Sequence, residues 1–221
     1  MLRPLLFLCT LVTLTGAQET FTESSVVNIS SCPITYYGQK YEQLYVNMTS
    51  GNVTVCFNGF FSPETGGDCI VERSVGAKRF YFRTFLQPSS DDENFIYESL
   101  PTIKHSLECY FWISFSYFGL ELYHFGTQTA VEFFTFVPDP AEFELQVGGT
   151  TVDTVNSLYS SQCLLDISGC RHSGQMYRPG TVINSPETCF SLMCNETAVL
   201  HNCSFVPLQH CQGNNIWTTP R

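Results

Sequence analysis

The placement of eleven cysteines constrains this chain more than any other feature. Cys9 lies in an N-terminal apolar run. Cys32, Cys56, Cys69 and Cys109 are spread over the first two thirds, while Cys163, Cys170, Cys189, Cys194, Cys203 and Cys211 crowd into the last 59 residues. Large aromatic side chains do the reverse. Beyond residue 155 only Tyr159, Tyr177, Phe190, Phe205 and Trp217 remain. A segment rich in large apolar side chains can build its own core, and a segment poor in them needs cross-links. The chain is therefore expected to divide near residues 157–162, into a domain of 18–158 and a cysteine-rich unit of 159–221. In that unit three cross-links, each worth about 2–4 kcal/mol, would offset the chain entropy that a small core cannot. Six cysteines can pair in many ways, and their spacing does not choose among them.

Ahead of Cys32 stand Arg3, an apolar stretch over 5–12, and the small residues Thr15, Gly16 and Ala17. A short apolar core closed by small residues is the pattern of a cleaved secretory signal. A membrane-spanning helix needs roughly 20 apolar residues, more than this run offers. Residues 1–17 are thus expected to leave, taking Cys9 with them. The remaining ten cysteines form an even set, all expected to be paired in an oxidising compartment. Five Asn-X-Ser/Thr sequons, at Asn28, Asn47, Asn52, Asn195 and Asn202, point to a glycosylated surface. The formal charge is −10. An acidic chain disfavours nucleic acid and anionic membrane as partners, because phosphate binding needs clustered Lys and Arg. The apolar stretch over 109–118 is too short to span a bilayer, and the C-terminal residues carry no apolar tail, so a released extracellular protein without a membrane anchor is expected.

The first region reads as strands. Val53, Val55 and Phe57 alternate with Thr54, Cys56 and Asn58. Phe80 and Phe82 alternate with Tyr81 and Arg83. Phe111, Ile113, Phe115 and Tyr117 fall on one face, with Trp112, Ser114 and Ser116 on the other. Phe143, Leu145 and Val147 alternate with Glu142, Glu144 and Gln146. Period two with aromatic and β-branched residues marks half-buried strands. Helical spacing is nowhere sustained beyond a turn. Gly148-Gly149 suits a two-residue hairpin, and clusters at 62–67, 88–93 and 138–140 punctuate the strands. The expected fold class is all-β: an antiparallel β-sandwich followed by a small disulfide-rich module.

Two resemblances follow from particular stretches. Residues 120–155 hold two strands ending at Pro138, then an apolar strand closing on Gly148-Gly149. That order faintly resembles galectin-like sandwiches and the β-sandwich domain named after farnesoic acid O-methyltransferase. The likeness implies a sandwich and hints at carbohydrate. The string Gly174-x-x-Tyr177-x-x-Gly180, with Cys163 and Cys170 before it and Cys189-x4-Cys194 after, resembles a von Willebrand factor type C module over 163–211. The likeness is closest to the single-domain form of arthropods and molluscs. Here six cysteines stand where that form has eight.

No motif for chemistry stands out. Gly-x-Ser-x-Gly, His-Glu-x-x-His, the phosphate-binding Gly-x-x-x-x-Gly-Lys-Ser/Thr and Gly-x-Gly-x-x-Gly are all missing. No enzyme activity, cofactor or metal is expected. Oxidised thiols cannot ligate zinc, and the Asp91-Asp92-Glu93 run reads as a solvated turn rather than a calcium loop. Trp112 is the candidate ligand-binding residue. Its ring, beside Ser114 and Ser116, could stack on a pyranose or instead pack under a loop. The expectation for function is extracellular recognition of a glycan or protein ligand, which the resemblance places in host defence. A matrix or coat component and a growth-factor-binding regulator acting through the tail are the alternatives.

Overall fold

The computed structural model describes residues 18–205 except 63, 74–75, 139–140, 158–162 and 186–189; residues 1–17 and 206–221 lie outside it. The described chain is all-β and antiparallel, with one helix among the described residues. The strands are β1 (Glu19–Phe21), β2 (Ser25–Asn28), β3 (Ile34–Tyr36), β4 (Gln39–Tyr41), β5 (Gln43–Met48), β6 (Val53–Cys56), β7 (Cys69–Glu72) and β8 (Phe80–Phe85). Helix α1 (Ser90–Ser99) follows, then β9 (Cys109–Ser114), β10 (Phe118–Phe125), β11 (Gln128–Thr135), β12 (Ala141–Val147) and β13 (Thr150–Ser157). The tail adds β14 (Cys163–Asp166), β15 (Cys170–His172), β16 (Gln175–Tyr177), β17 (Val182–Ser185), β18 (Phe190–Cys194) and β19 (Leu200–Phe205).

Two six-stranded sheets carry most of these strands. The first has the order β1-β8-β9-β10-β11-β14, the second β13-β12-β7-β6-β5-β2. Their period-two alternation sends one set of side chains into a shared core. From the first sheet come Phe80, Phe82, Phe111, Ile113, Leu120, Leu122, Val131 and Phe133; from the second come Leu44, Val46, Val55, Ile70, Phe143 and Leu145. Phe143 meets Phe118 at 5.3 Å and Phe133 at 4.6 Å between ring centroids, so the two sheets interlock through aromatic rings. The expected hairpin at Gly148-Gly149 is present. Both glycines have positive φ, 57° and 81°, and Val147 pairs with Thr150 across the turn.

Three expectations need correction. The acidic cluster at 88–93 is no turn, because Ser90–Ser99 form a helix. Among its described side chains only Ile96 is fully buried, and its apolar residues Phe95, Ile96 and Tyr97 are consecutive. No helical period could therefore show. A ten-residue helix is marginal alone and is held by what it docks on. Tyr117 does not share the inward face of Phe111, Ile113 and Phe115. The strand ends at Ser114, the Phe115 N–H donates to the Phe118 carbonyl at 2.8 Å, and Tyr117 sits 43% exposed in the turn. The first sheet also runs past the boundary expected near residue 158. Strand β14 is its edge strand, paired with β11 from Phe133↔Cys163 to Ala130↔Asp166.

The disulfides follow the same geography. Cys32–Cys109 and Cys56–Cys69 lie within the two-sheet body, and Cys170–Cys194 lies within the tail. Cys163, expected to be paired, has no disulfide partner among the described residues; it lies on β14, where burial raises its pKa. Cys189 and Cys211 lie outside the described residues, as does the side chain of Cys203.

The tail is bound to the body by polar contacts. Asp68 is buried, 1% exposed, and takes the Arg171 guanidinium at 2.5 Å. Its carboxylate also accepts the Tyr41 hydroxyl and the Gly148 N–H, the latter at 2.8 Å. Arg171 Nε donates to the Tyr37 carbonyl at 3.1 Å. Arg178 pairs with Asp153 and lies 5.1 Å over the Tyr37 ring. Ile167, fully buried in the main core, exchanges backbone bonds with Thr129 and Tyr37.

Candidate functional site

The face of the first sheet turned away from the core is built by register. Arg83 on β8 lies opposite Trp112 on β9, Trp112 opposite Glu121 on β10, and Glu121 opposite Glu132 on β11. One row therefore reads Arg83, Trp112, Glu121, Glu132 across four strands. Directly opposed residues share a face with Cβ atoms about 4.5–5.5 Å apart. The next row reads Tyr81, Ser114, Gly119, Phe134. A Cβ placed on Gly119 would meet the Phe134 ring at 2.5 Å, so that ring lies across the glycine. A larger residue there would lift it. Trp112, Phe134 and Tyr81 thus stand around two small residues as a shallow aromatic floor.

On the other side of the Trp112 row, Phe85, Tyr110 and Tyr123 form a stacked ladder, with centroids 4.4 and 5.2 Å apart. Helix α1 and the loop behind it roof this part of the face. Ile96, Ile103 and Leu107 pack with Tyr123, Phe125 and Ala130 in a second apolar cluster. Trp112 joins none of the apolar clusters among the described residues and is half-buried. Beyond the floor, Tyr117 and Phe136 are 43% and 47% exposed, and Phe136 meets Phe134 edge-on at 5.3 Å.

The polar groups are held in place. The Tyr123 hydroxyl lies between the Glu121 and Glu132 carboxylates, 2.9 Å from Glu132. Burial first, and then the two carboxylates, push its pKa far above the usual phenol value, so it stays a neutral donor. Arg83 spreads over the Phe85 ring at 4.8 Å, and its buried Nε has no hydrogen-bond partner among the described residues. Glu132 is 4% exposed, so half-buried Glu121 is the carboxylate of the row that a ligand can reach. A flat apolar floor beside that acceptor and a guanidinium suits a hydroxyl-rich ring. The C–H face of a sugar stacks on the aromatics, and its hydroxyls donate to carboxylates in short charge-assisted bonds.

Trp112 was the one ligand contact expected from sequence, and its strand register brings Arg83, Glu121, Glu132 and Phe134 beside it. Those four were missed. The signal was available in the hairpin of β10 and β11: closing it on Gly126-Thr127 sets Phe125 opposite Gln128, and counting back sets Glu121 opposite Glu132.

The other expected sites are dispersed. Asn28 is exposed at the end of β2. Asn47 accepts the Ser24 hydroxyl at 2.8 Å, and Asn52 the Thr49 hydroxyl at 2.5 Å. Asn195 caps its own turn, accepting from the N–H groups of Thr197 and Val199 at 3.1 and 2.8 Å. The side chain of Asn202 lies outside the described residues. His124 points into the body, and burial lowers its pKa. Among the described residues no three His, Cys, Asp or Glu side chains are grouped to hold a metal, and no helix is long and apolar enough to cross a membrane. No protein-family model, curated protein or solved structure matches the chain.

Proposed function

We propose that this chain is a secreted extracellular glycoprotein that recognises a carbohydrate on the outer face of its first sheet. One observation carries the reading: the Arg83–Trp112–Glu121–Glu132 row lies beside the floor of Tyr81, Ser114, Gly119 and Phe134. Aromatic planes next to fixed carboxylates are the side-chain chemistry that a pyranose demands. The net charge of −10 repels anionic ligands, so the sugar is neutral or amino-substituted rather than sialylated or sulfated. The disulfides of the body and tail fit an oxidising, extracellular setting.

A glycan array probed with the full chain tests this reading. Binding to neutral or amino sugars is expected, and Trp112→Ala is expected to weaken it by at least about tenfold, the loss of roughly 1.4 kcal/mol of stacking. Silence across the array, or a Trp112→Ala variant that binds as well as the parent, would overturn it. Release of a shortened sugar during the assay would convert the recognition site into a hydrolytic one.

A further inference from the structure

We propose that a hollow beside Asn28 houses the inner sugars of the chain's own N-linked glycan. The hollow has a volume of about 670 Å³ and is lined by Asn28, Lys40, Tyr41, Glu42, Gln43 and Tyr45 among others. It belongs to the second sheet and the β3–β4 hairpin, not to the outer face of the first sheet. Asn28 closes β2, which is an edge strand, and is exposed. It is also the first residue of the sequon Asn28-Ile29-Ser30. Its side-chain oxygen is already used within the sequon, accepting the Ser30 N–H at 2.8 Å. The amide nitrogen is the group left for a glycosidic bond.

The lining matches that occupant. Tyr41 and Tyr45 supply aromatic walls, and Lys40, Glu42 and Gln43 supply donors and acceptors together. Tyr45 is fixed from two sides: its hydroxyl donates to Gln43 at 2.8 Å, and its ring meets Phe60 edge-on at 5.4 Å. Tyr41 is fixed by its bond to the buried Asp68. A sugar attached at Asn28 needs no diffusional encounter, because the covalent link supplies a high effective concentration beside the walls. The link forms during synthesis, when Asn28 Nδ2 displaces the diphosphate of the carrier lipid from C1 of the sugar and gives up one proton. The proposal rests on the secretory part of the function proposed above.

The test uses the full chain secreted from glycosylating eukaryotic cells. Release of each glycan by a peptide amidase is timed on the native protein and read by glycopeptide mass spectrometry. Asn28 is expected to be occupied, and its glycan to leave at least about tenfold more slowly than that on Asn52, since two or so lost hydrogen bonds are worth that factor. After denaturation the rates should match. The triple variant Lys40→Ala, Glu42→Ala, Gln43→Ala, confined to exposed side chains, should abolish the difference in the native protein. A bare Asn28 on a chain whose other sequons carry sugar overturns the proposal alone. So does equal release in the native state, or slow release that survives the triple variant. Sugar on none of the five sequons sinks the proposal and the secretory reading together.

Discussion

Asp68 shows how much a single side chain decides here. It is 1% exposed, yet it receives Arg171 from the tail, Tyr41 from the β3–β4 hairpin and the Gly148 N–H from the β12–β13 turn. A carboxylate in such a place is tolerable only when every lone pair is engaged. Asp68→Ala would leave the Arg171 guanidinium, itself largely buried, without its counter-charge. We expect a loss of about 3–5 kcal/mol in chemical denaturation, the cost of breaking a buried pair from one side. A loss below about 1 kcal/mol would show that the tail is not anchored there. Neither Asp68 nor Arg171 stands out in the sequence. They are separated by about a hundred residues, and no local pattern marks an ion pair that only the folded chain assembles.

Among the elements, strands with one buried face were readable and the rest were not. The alternation of Phe111 and Ile113 with Trp112 fixes which side chains of β9 enter the core, and Gly148-Gly149 fixes its own turn. Helix α1 escaped because its docking rests on Ile96 and the loop behind it, which leaves no period to detect. Strand β14 escaped because two leucines between a cysteine and an aspartate carry no alternation, and pairing with β11 supplies what the segment lacks. The candidate site is a product of register. Glu121 and Glu132 are eleven positions apart and become neighbours only because the hairpin closes on two residues. Gly119 gives a test at this scale. Gly119→Val would place a side chain where the Phe134 ring lies, 2.5 Å from the first added carbon. Because the added carbon would also stand 3.0 Å from the Ile113 carbonyl, stability should fall by about 1–3 kcal/mol while sugar binding to the folded protein falls by about tenfold or more. Unaltered binding would remove Phe134 from the site.

At the scale of the whole molecule, the body's first sheet crosses the boundary expected near residue 158. Cys32–Cys109 closes 77 residues within the body, worth about 4 kcal/mol on the chain-entropy account. Cys170–Cys194 does similar service within the tail over 24 residues. Yet the tail begins inside the body's sheet, puts Ile167 into its core and holds it through Arg171 and Arg178. Composition showed where the aromatics thin out; it could not show that the last strand of a sheet lies beyond that point. Sugar recognition on the outer face of the first sheet can be tested directly, because the chain holds two tryptophans. Trp217→Phe leaves Trp112 as the single tryptophan. Titrating that variant with the best sugar from the array, while following tryptophan emission, reads the site itself. A saturable change is expected, its midpoint matching the binding constant measured independently. Full binding with no change in Trp112 emission would place the sugar elsewhere and contradict it.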